Sequence, residues 1–415
     1  MIAALITIAL LTAAGLPFAR ALHPDARASA RTGEAFFIGC AWIPIAMFAL
    51  SLLHIRWSLT SILVSALIPA LAAFAIRRTS PATSPKTTLT IIDLVTALLI
   101  VLYGIYTTLG MWELDFWAIF GMKARAFFDH GGIDWHLLTS PFNAFMNPDY
   151  PLALPLLFDV HAIVNGAWDH RWIGLLYPAF TIALVLVTRP LIEKESNSPL
   201  IVSAMTLTIA ALSFTRTAGT AEAPLVAISA AALLLLRRGI LDDDTRAIRT
   251  ASILLGVAAF MKNEGIAMVA AAFVAVLVTT RSWRRAAALW PAAACAASWI
   301  AVVRLFHLKS QFLQLQATHL RELPAMARAL ASNPPEHGFF WVVALITIVV
   351  AFREAKRESL LGTFIVVQLL LYVATYLATS LPVVWQIDQS WTRLLSHVAI
   401  PLAFVAFASA VHERK

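Results

Sequence analysis

The stretch 112–150, WELDFWAIFGMKARAFFDHGGIDWHLLTSPFNAFMNPDY, gathers acids, bases and aromatic rings densely enough to hold a charged, sugar-like ligand. Asp115 follows a long apolar run by only a few residues, which sets its carboxylate at a membrane surface with Trp112, Phe116 and Trp117 as an expected interfacial aromatic anchor. An ionisable group at that depth is costly without a partner or a task, so Asp115 reads as functional rather than as a helix-end residue. Lys123 and Arg125 come about two turns later. A phosphate partner would account for both, the alternative being that they snorkel. His136 and Asp149-Tyr150-Pro151 complete the stretch, Asp149 serving as a ligand contact, as an N-cap ahead of Pro151, or as both.

Three later positions add to this set. Lys262-Asn263-Glu264-Gly265 interrupts a run that is apolar from Ile253 to Met261 and again from Ile266 to Val278, so it forms the polar tip of a helical hairpin. A Lys and a Glu there call for a bound ion, a ligand or each other. Glu222 closes the short polar segment 215–222, where it and Arg216 could pair in water. Arg393, with Trp391 and His397 about one turn to either side, opens the last apolar segment. His397 by itself reads more readily as a packed or hydrogen-bonded histidine than as a ligand.

The elements that must position these residues are membrane helices. Of 415 residues 60% are hydrophobic and 13% charged, with a mean hydropathy of +0.79, against roughly a quarter charged in a soluble domain. Apolar runs near 2–19, 36–53, 58–76, 91–111, 172–188, 199–214, 223–236, 250–261, 265–280, 286–306, 339–352, 359–379 and 396–411 give about thirteen transmembrane helices. The chain is therefore expected to be an all-α polytopic membrane protein with one integral domain, 1–415. Residues 151–166 are short for a span and carry Asp159, His161 and Asn165, which predicts a helix lying in the interface. The first run has no basic residue before it and reads as a retained helix, not a cleaved signal.

Charge sets the expected orientation. With these spans, the Lys and Arg of alternate loops divide 20 against 11, and the richer side is cytoplasmic. Residues 112–171 then face outward, together with 215–222, the 262–264 tip, a second loop at 307–338, and 380–395. Asp242-Asp243-Asp244 lies inward as a solvated face. The net charge of +8 is spread in twos and threes at helix ends, so no nucleic-acid partner is expected. Cys40 and Cys295 sit inside apolar runs and support neither a disulfide framework nor a zinc site.

The plan of an acid just past an early transmembrane helix, an interfacial helix after it and many further spans resembles the GT-C fold glycosyltransferases. These include the protein O-mannosyltransferases and the lipid A aminoarabinose transferases. The strings Asp115-Phe116-Trp117-Ala118-Ile119, Lys123-Ala124-Arg125, Asn147-Pro148-Asp149-Tyr150-Pro151-Leu152 and Lys262-Asn263-Glu264-Gly265, with Arg393 ahead of a Pro-containing helix, are similar to bacterial members of that superfamily. The chain departs from the pattern in having three apolar segments before the one leading to Asp115, in having Phe116 where the mannosyltransferases have a second acid, and in having Glu222 where relatives often show Asp.

The resemblance implies inverting transfer of a sugar from a polyprenyl-phosphate donor to a glycan, lipid or protein acceptor at the periplasmic face of a bacterial inner membrane. By the same resemblance Asp115 is the general base, Lys123, Arg125, Lys262 and Arg393 stabilise the leaving lipid phosphate, and Asp149, Glu264 and His136 orient hydroxyls. No metal or other cofactor is required, although Asp115, Asp149 and Glu264 could together hold a divalent cation if their loops converge. The alternatives are a transporter or lipid flippase, which would place its polar groups in broken helices at mid-membrane, and an O-antigen polymerase or ligase-type enzyme.

Overall fold

Long apolar runs leave the backbone no hydrogen-bond partner but itself, and the chain accordingly folds as helix after helix. The computed structural model describes residues 1–74, 88–110, 112–214, 218–309, 317–350 and 356–413. In order the helices are α1 Ile2–Leu22, α2 Ala28–Leu52, α3 Leu59–Phe74, α4 Ile91–Thr108, α5 Gly121–His130, α6 Trp135–Thr139, α7 Ala153–Asn165, α8 His170–Ile173, α9 Leu176–Glu195 and α10 Pro199–Ser213. They continue with α11 Glu222–Leu241, α12 Thr245–Met261, α13 Asn263–Thr280, α14 Trp283–Ala287, α15 Trp290–Leu305, α16 Leu323–Ser332, α17 Gly338–Val350, α18 Ser359–Leu377 and α19 Val383–Glu413. No strand is present among the described residues; a single β-bridge joins Trp112 to Ala218.

Among the described residues eight helical stretches are long and apolar enough to cross a membrane: α1, α2, α4, the α8–α9 stretch His170–Glu195, α11, α13, α18 and α19. The chain is thus a multi-pass, all-helical membrane protein. Five shorter apolar helices, α3, α7, α10, α15 and α17, fall below that length. Of the charges counted for orientation, Arg77, Arg78, Lys86, Arg216, Arg353, Arg414 and Lys415 lie outside the described residues.

α11 is buried on almost every side, as its unbroken apolar sequence requires. It packs against α9, α12, α13 and α19. The first two helices approach so closely that a Cβ on Gly39 would stand 1.8 Å from the Leu11 carbonyl oxygen. Such contact is the usual way helices associate where no hydrophobic force drives them together. At the C-terminal end of α11, Arg237 is clamped by both oxygens of Glu358, donates to Glu195 at 2.8 Å and lies 4.9 Å over the ring of Phe404. Charges first read as orientation signals are therefore also a buried structural cluster.

Three expectations differ from the structure. α7 does not lie on the surface as an interfacial helix: Ala153 to Ala162 are all buried, and α7 packs against α1, α2 and α5. Its Asp159 and His161 have no hydrogen-bond partner among the described residues. Asp149 caps no helix, because α7 begins at Ala153 with Leu152 at the cap. The last helix also starts at Val383, so Arg393 lies ten residues inside α19 rather than at its head, and most of 380–395 is helix rather than loop. The acidic run 242–244 is exposed to solvent, with Asp244 capping α12 while Asp242 and Asp243 pair with Arg238 and Arg285.

Candidate functional site

Asp115 stands just ahead of a π-helical turn, Phe116–Phe120, that leads into α5. Such turns are rare and are frequent at functional sites. Of the expected aromatic anchor only Trp117 is exposed. Trp112 and Phe116 are buried and stack on each other at 4.4 Å between ring centres. These two rings fasten the Asp115 segment to the protein rather than to a lipid surface. The fastening is completed by backbone: Glu113 N–H donates to the Ala218 carbonyl at 3.1 Å, and the Tyr177 hydroxyl donates to the Thr220 carbonyl at 2.9 Å. The segment before α11 is thereby held beside Asp115, which brings Glu222 within reach.

From there an ionic chain crosses four parts of the sequence. Arg393 Nη1 lies 2.7 Å from Asp115 Oδ2 and 3.5 Å from Glu222 Oε1. Lys262 Nζ lies 2.8 Å from the same Glu222 oxygen and 2.9 Å from Glu264 Oε1. Lys262 occupies the extended residue between α12 and α13, and the hairpin can close around it because Gly265 has no side chain. A Cβ there would meet the Ala258 carbonyl oxygen at 2.0 Å. The Asp115 and Arg393 side chains are the most exposed of the chain at 29%, Glu222 and Lys262 in the middle are buried at 2% and 6%, and Glu264 beyond them is 19% exposed.

A second layer lies against this chain. The Tyr150 ring has the ammonium groups of Lys123 and Lys262 each 5.9 Å from its centre, a favourable place for cations on an aromatic face. Lys123 Nζ donates to the Asn147 carbonyl at 2.6 Å, Asn263 donates to Asp149 Oδ2 at 3.1 Å, and the Trp299 indole donates to the Asp149 carbonyl at 2.8 Å. His397 Nδ1 is 2.7 Å from the Tyr372 hydroxyl, and its Nε2 is buried with no partner among the described residues. Asn147 Oδ1 and Glu264 Oε2 are likewise buried and unpartnered.

Burial and charge act oppositely on the two lysines. Burial would lower the Lys262 ammonium, but the Glu222 and Glu264 carboxylates beside it outweigh that and hold it above its ordinary value. Lys123 has no such pair: burial drives it down to about 7, only partly opposed by Asp149. Burial, with the Glu264 carboxylate next, raises the Tyr150 phenol.

Of the residues singled out from sequence, Asp115, Glu222, Lys262, Glu264 and Arg393 form the chain, and Lys123, Asp149, Tyr150 and His397 lie around it. Arg125 and His136 do not join. Lys123 and Arg125 are two residues apart on α5, which puts them about 200° apart around the helix, so they cannot share one phosphate. Arg125 instead pairs with Asp129 at 2.8 Å, half exposed, and lies 5.9 Å over Trp168. His136 lines a separate cavity. Arg216, the expected partner of Glu222, lies outside the described residues.

Asp115, Asp149 and Glu264, which could share a divalent cation only if their loops converged, are each paired with a different protein donor, Arg393, Asn263 and Lys262. No group of three His, Cys, Asp or Glu side chains gathers for a metal ion among the described residues. Sequence reading passed over Asn147, Asn263, Trp299 and Tyr372 as site residues. The two Asn stand within strings already singled out, but nothing in the sequence marks Trp299 or Tyr372. No protein-family model, curated protein or solved structure matches this chain.

Proposed function

We propose that this protein is a membrane glycosyltransferase of the GT-C type, with about thirteen membrane crossings. It would move a sugar from a polyprenyl-phosphate donor to an acceptor hydroxyl on the side that bears Asp115, the periplasmic face of an inner membrane. The observation that carries this reading is the pairing of a half-buried acid with a half-buried arginine at the open end of a buried ionic chain. Transfer with inversion needs those two functions side by side. Asp115 takes the acceptor proton as its oxygen attacks the anomeric carbon. The bond from that carbon to the phosphate oxygen breaks, and the lipid phosphate leaves with the negative charge. Arg393 uses Nη1 for Asp115, and its remaining N–H groups are the donors in reach of that phosphate.

The buried members take different roles from those the resemblance implies. Lys262 is neutralised by two carboxylates, so it positions Glu222 and Glu264 rather than receiving the phosphate. Lys123 holds the Asn147–Tyr150 turn. Asp149 and Glu264 remain as groups to orient sugar or acceptor hydroxyls. A transporter is less well supported, because Glu222 and Lys262 stand at helix ends rather than in helices broken at mid-membrane.

The test is sugar transfer from polyprenyl-phosphate donors by the purified protein in nanodiscs, with donor binding measured alongside. Asp115→Asn keeps the shape and removes the basicity, and should lower turnover by about 10² to 10⁴ while donor binding is retained. Near-full transfer by Asp115→Asn with loss in Asp149→Asn would move the base to Asp149. Orientation is tested separately by an impermeant thiol reagent on cysteines placed at Phe142, which is 89% exposed, and at Asp243. Labelling of Asp243→Cys in intact cells, with Phe142→Cys protected, would reverse the topology and remove the mechanism.

A further inference from the structure

The loop after α2 and the turn between α5 and α6 line an open cavity of about 510 Å³, and none of its lining residues belongs to the ionic chain. Its volume falls within the range of roughly 300 to 1,000 Å³ common for small-ligand sites. Arg56, His54, His130 and His136 line it. Arg56 has no ion-pair partner among the described residues. Its side chain crosses directly over Gly131, where a Cβ would stand 2.6 Å from Nε. The crossing is fixed because Trp57 N–H donates to the Gly131 carbonyl at 2.9 Å, while the Trp57 indole is anchored to the Met47 carbonyl at 2.9 Å. Gly131 itself has φ +76°, a conformation that glycine adopts at little cost, so the turn both presents the arginine and leaves room for it.

We propose that this cavity is a second ligand site, one that takes the phosphate group of a phosphorylated molecule. The chemistry of the lining selects the class. An unpaired guanidinium offers a fork of donors matched to a phosphate, and three imidazoles around it add N–H donors without fixed negative charge. The carboxylate on the wall, Asp134, already spends Oδ1 on the backbone N–H of Leu137 at 3.0 Å. The imidazoles do not converge as metal ligands do, since they form no metal-holding group among the described residues. Trp135, stacked at 4.0 Å on Phe306, supplies a rigid wall and a fluorescent reporter. The site stands independently of the glycosyl-transfer reading.

The experiment is a titration of the full-length protein in phosphatidylcholine nanodiscs with inorganic pyrophosphate, followed by calorimetry and tryptophan fluorescence. Saturable binding is expected. Arg56→Gln should weaken it about tenfold or more, the loss expected for one charge-assisted contact, and Arg56→Lys should recover part of it. A second set of nanodiscs doped with phosphatidic acid identifies the source of the phosphate. Competition by the lipid assigns the site to a headgroup, and unchanged pyrophosphate affinity assigns it to a soluble phosphate. Absence of saturable binding in phosphatidylcholine overturns the proposal. So does binding that survives Arg56→Gln but is lost in Arg393→Met, which would place the anion at the ionic chain.

Discussion

The two ends of α11 carry ionic clusters built from the same residue types, yet they differ in a way that separates structure from function. Glu222 and Arg237 are fifteen residues apart, about 22 Å along the helix. At the Arg237 end the cluster is closed: the side chains of Arg237, Glu195 and Glu358 are only 4 to 5% exposed, and Glu358 offers both oxygens to one guanidinium. At the Glu222 end the chain opens toward Asp115 and Arg393, and buried acceptors are left over at Glu264 and Asn147. A closed cluster has no donor or acceptor left to give to a ligand. An open one keeps reactive groups part-buried, where charge interactions are stronger than in water, and leaves polar atoms whose partner has to come from elsewhere.

The sharpest way to break this contrast is to cut the closed cluster. Arg237→Met leaves the buried Glu358 carboxylate without its cation and Glu195 with only Arg238 at 3.5 Å, and should destabilise the protein by about 3 to 5 kcal/mol, read by chemical unfolding in mild detergent. Donor binding by the fraction that remains folded should be unchanged. A loss below about 1 kcal/mol would show that the cluster is not closed to water as described.

The matching cut at the open end should act on activity instead. Arg393→Met should cost about 1.5 to 3 kcal/mol in the efficiency of donor use, roughly tenfold to a hundredfold, with little change in stability because Glu222 retains Lys262. Equal losses of stability at Arg393 and Arg237 would erase the distinction between the two ends.

Lys123 tests the layer behind the open end. Its ammonium is lowered to about 7 in the folded protein, so between that value and its ordinary one the unfolded chain binds more protons, and stability rises with pH. From pH 7 to pH 9 the gain attributable to this one group is about 2 kcal/mol, and below pH 7 its penalty is constant. Melting temperatures should therefore climb over that interval in the wild type and climb less in Lys123→Met. Parallel profiles would mean that Lys123 is hydrated or paired when folded.

The smallest effect is expected at Arg125. Its pair with Asp129 is about half exposed on both sides, so Arg125→Ala should shift stability by no more than about 0.5 kcal/mol and leave transfer intact. A tenfold fall in transfer would return Arg125 to the phosphate role that its sequence neighbourhood implies.

What the sequence determined by itself is what depends on neighbouring residues. Hydropathy over some twenty residues decides whether a segment can be a membrane helix, so the membrane class and the helices were legible from the apolar runs. The break at Lys262-Asn263-Glu264 marked the hairpin tip correctly for the same reason. Even the gathering of Asp115, Glu222, Lys262 and Arg393 was readable in outline, because charge at the end of an apolar run demands a partner. Which partner was not readable. Asp115 and Arg393 are 278 positions apart, and only the packing of α19 against the rest of the bundle sets their distance. Tertiary structure also decided the burial of α7, whose short apolar sequence suits an interfacial helix as well as a core one until its neighbours are known. It put Lys123 against Tyr150 and the Asn147 carbonyl while leaving Arg125 to Asp129, and it closed Arg237 onto Glu195 and Glu358. Pairing energies depend on distance and on exclusion of water, and the fold sets both.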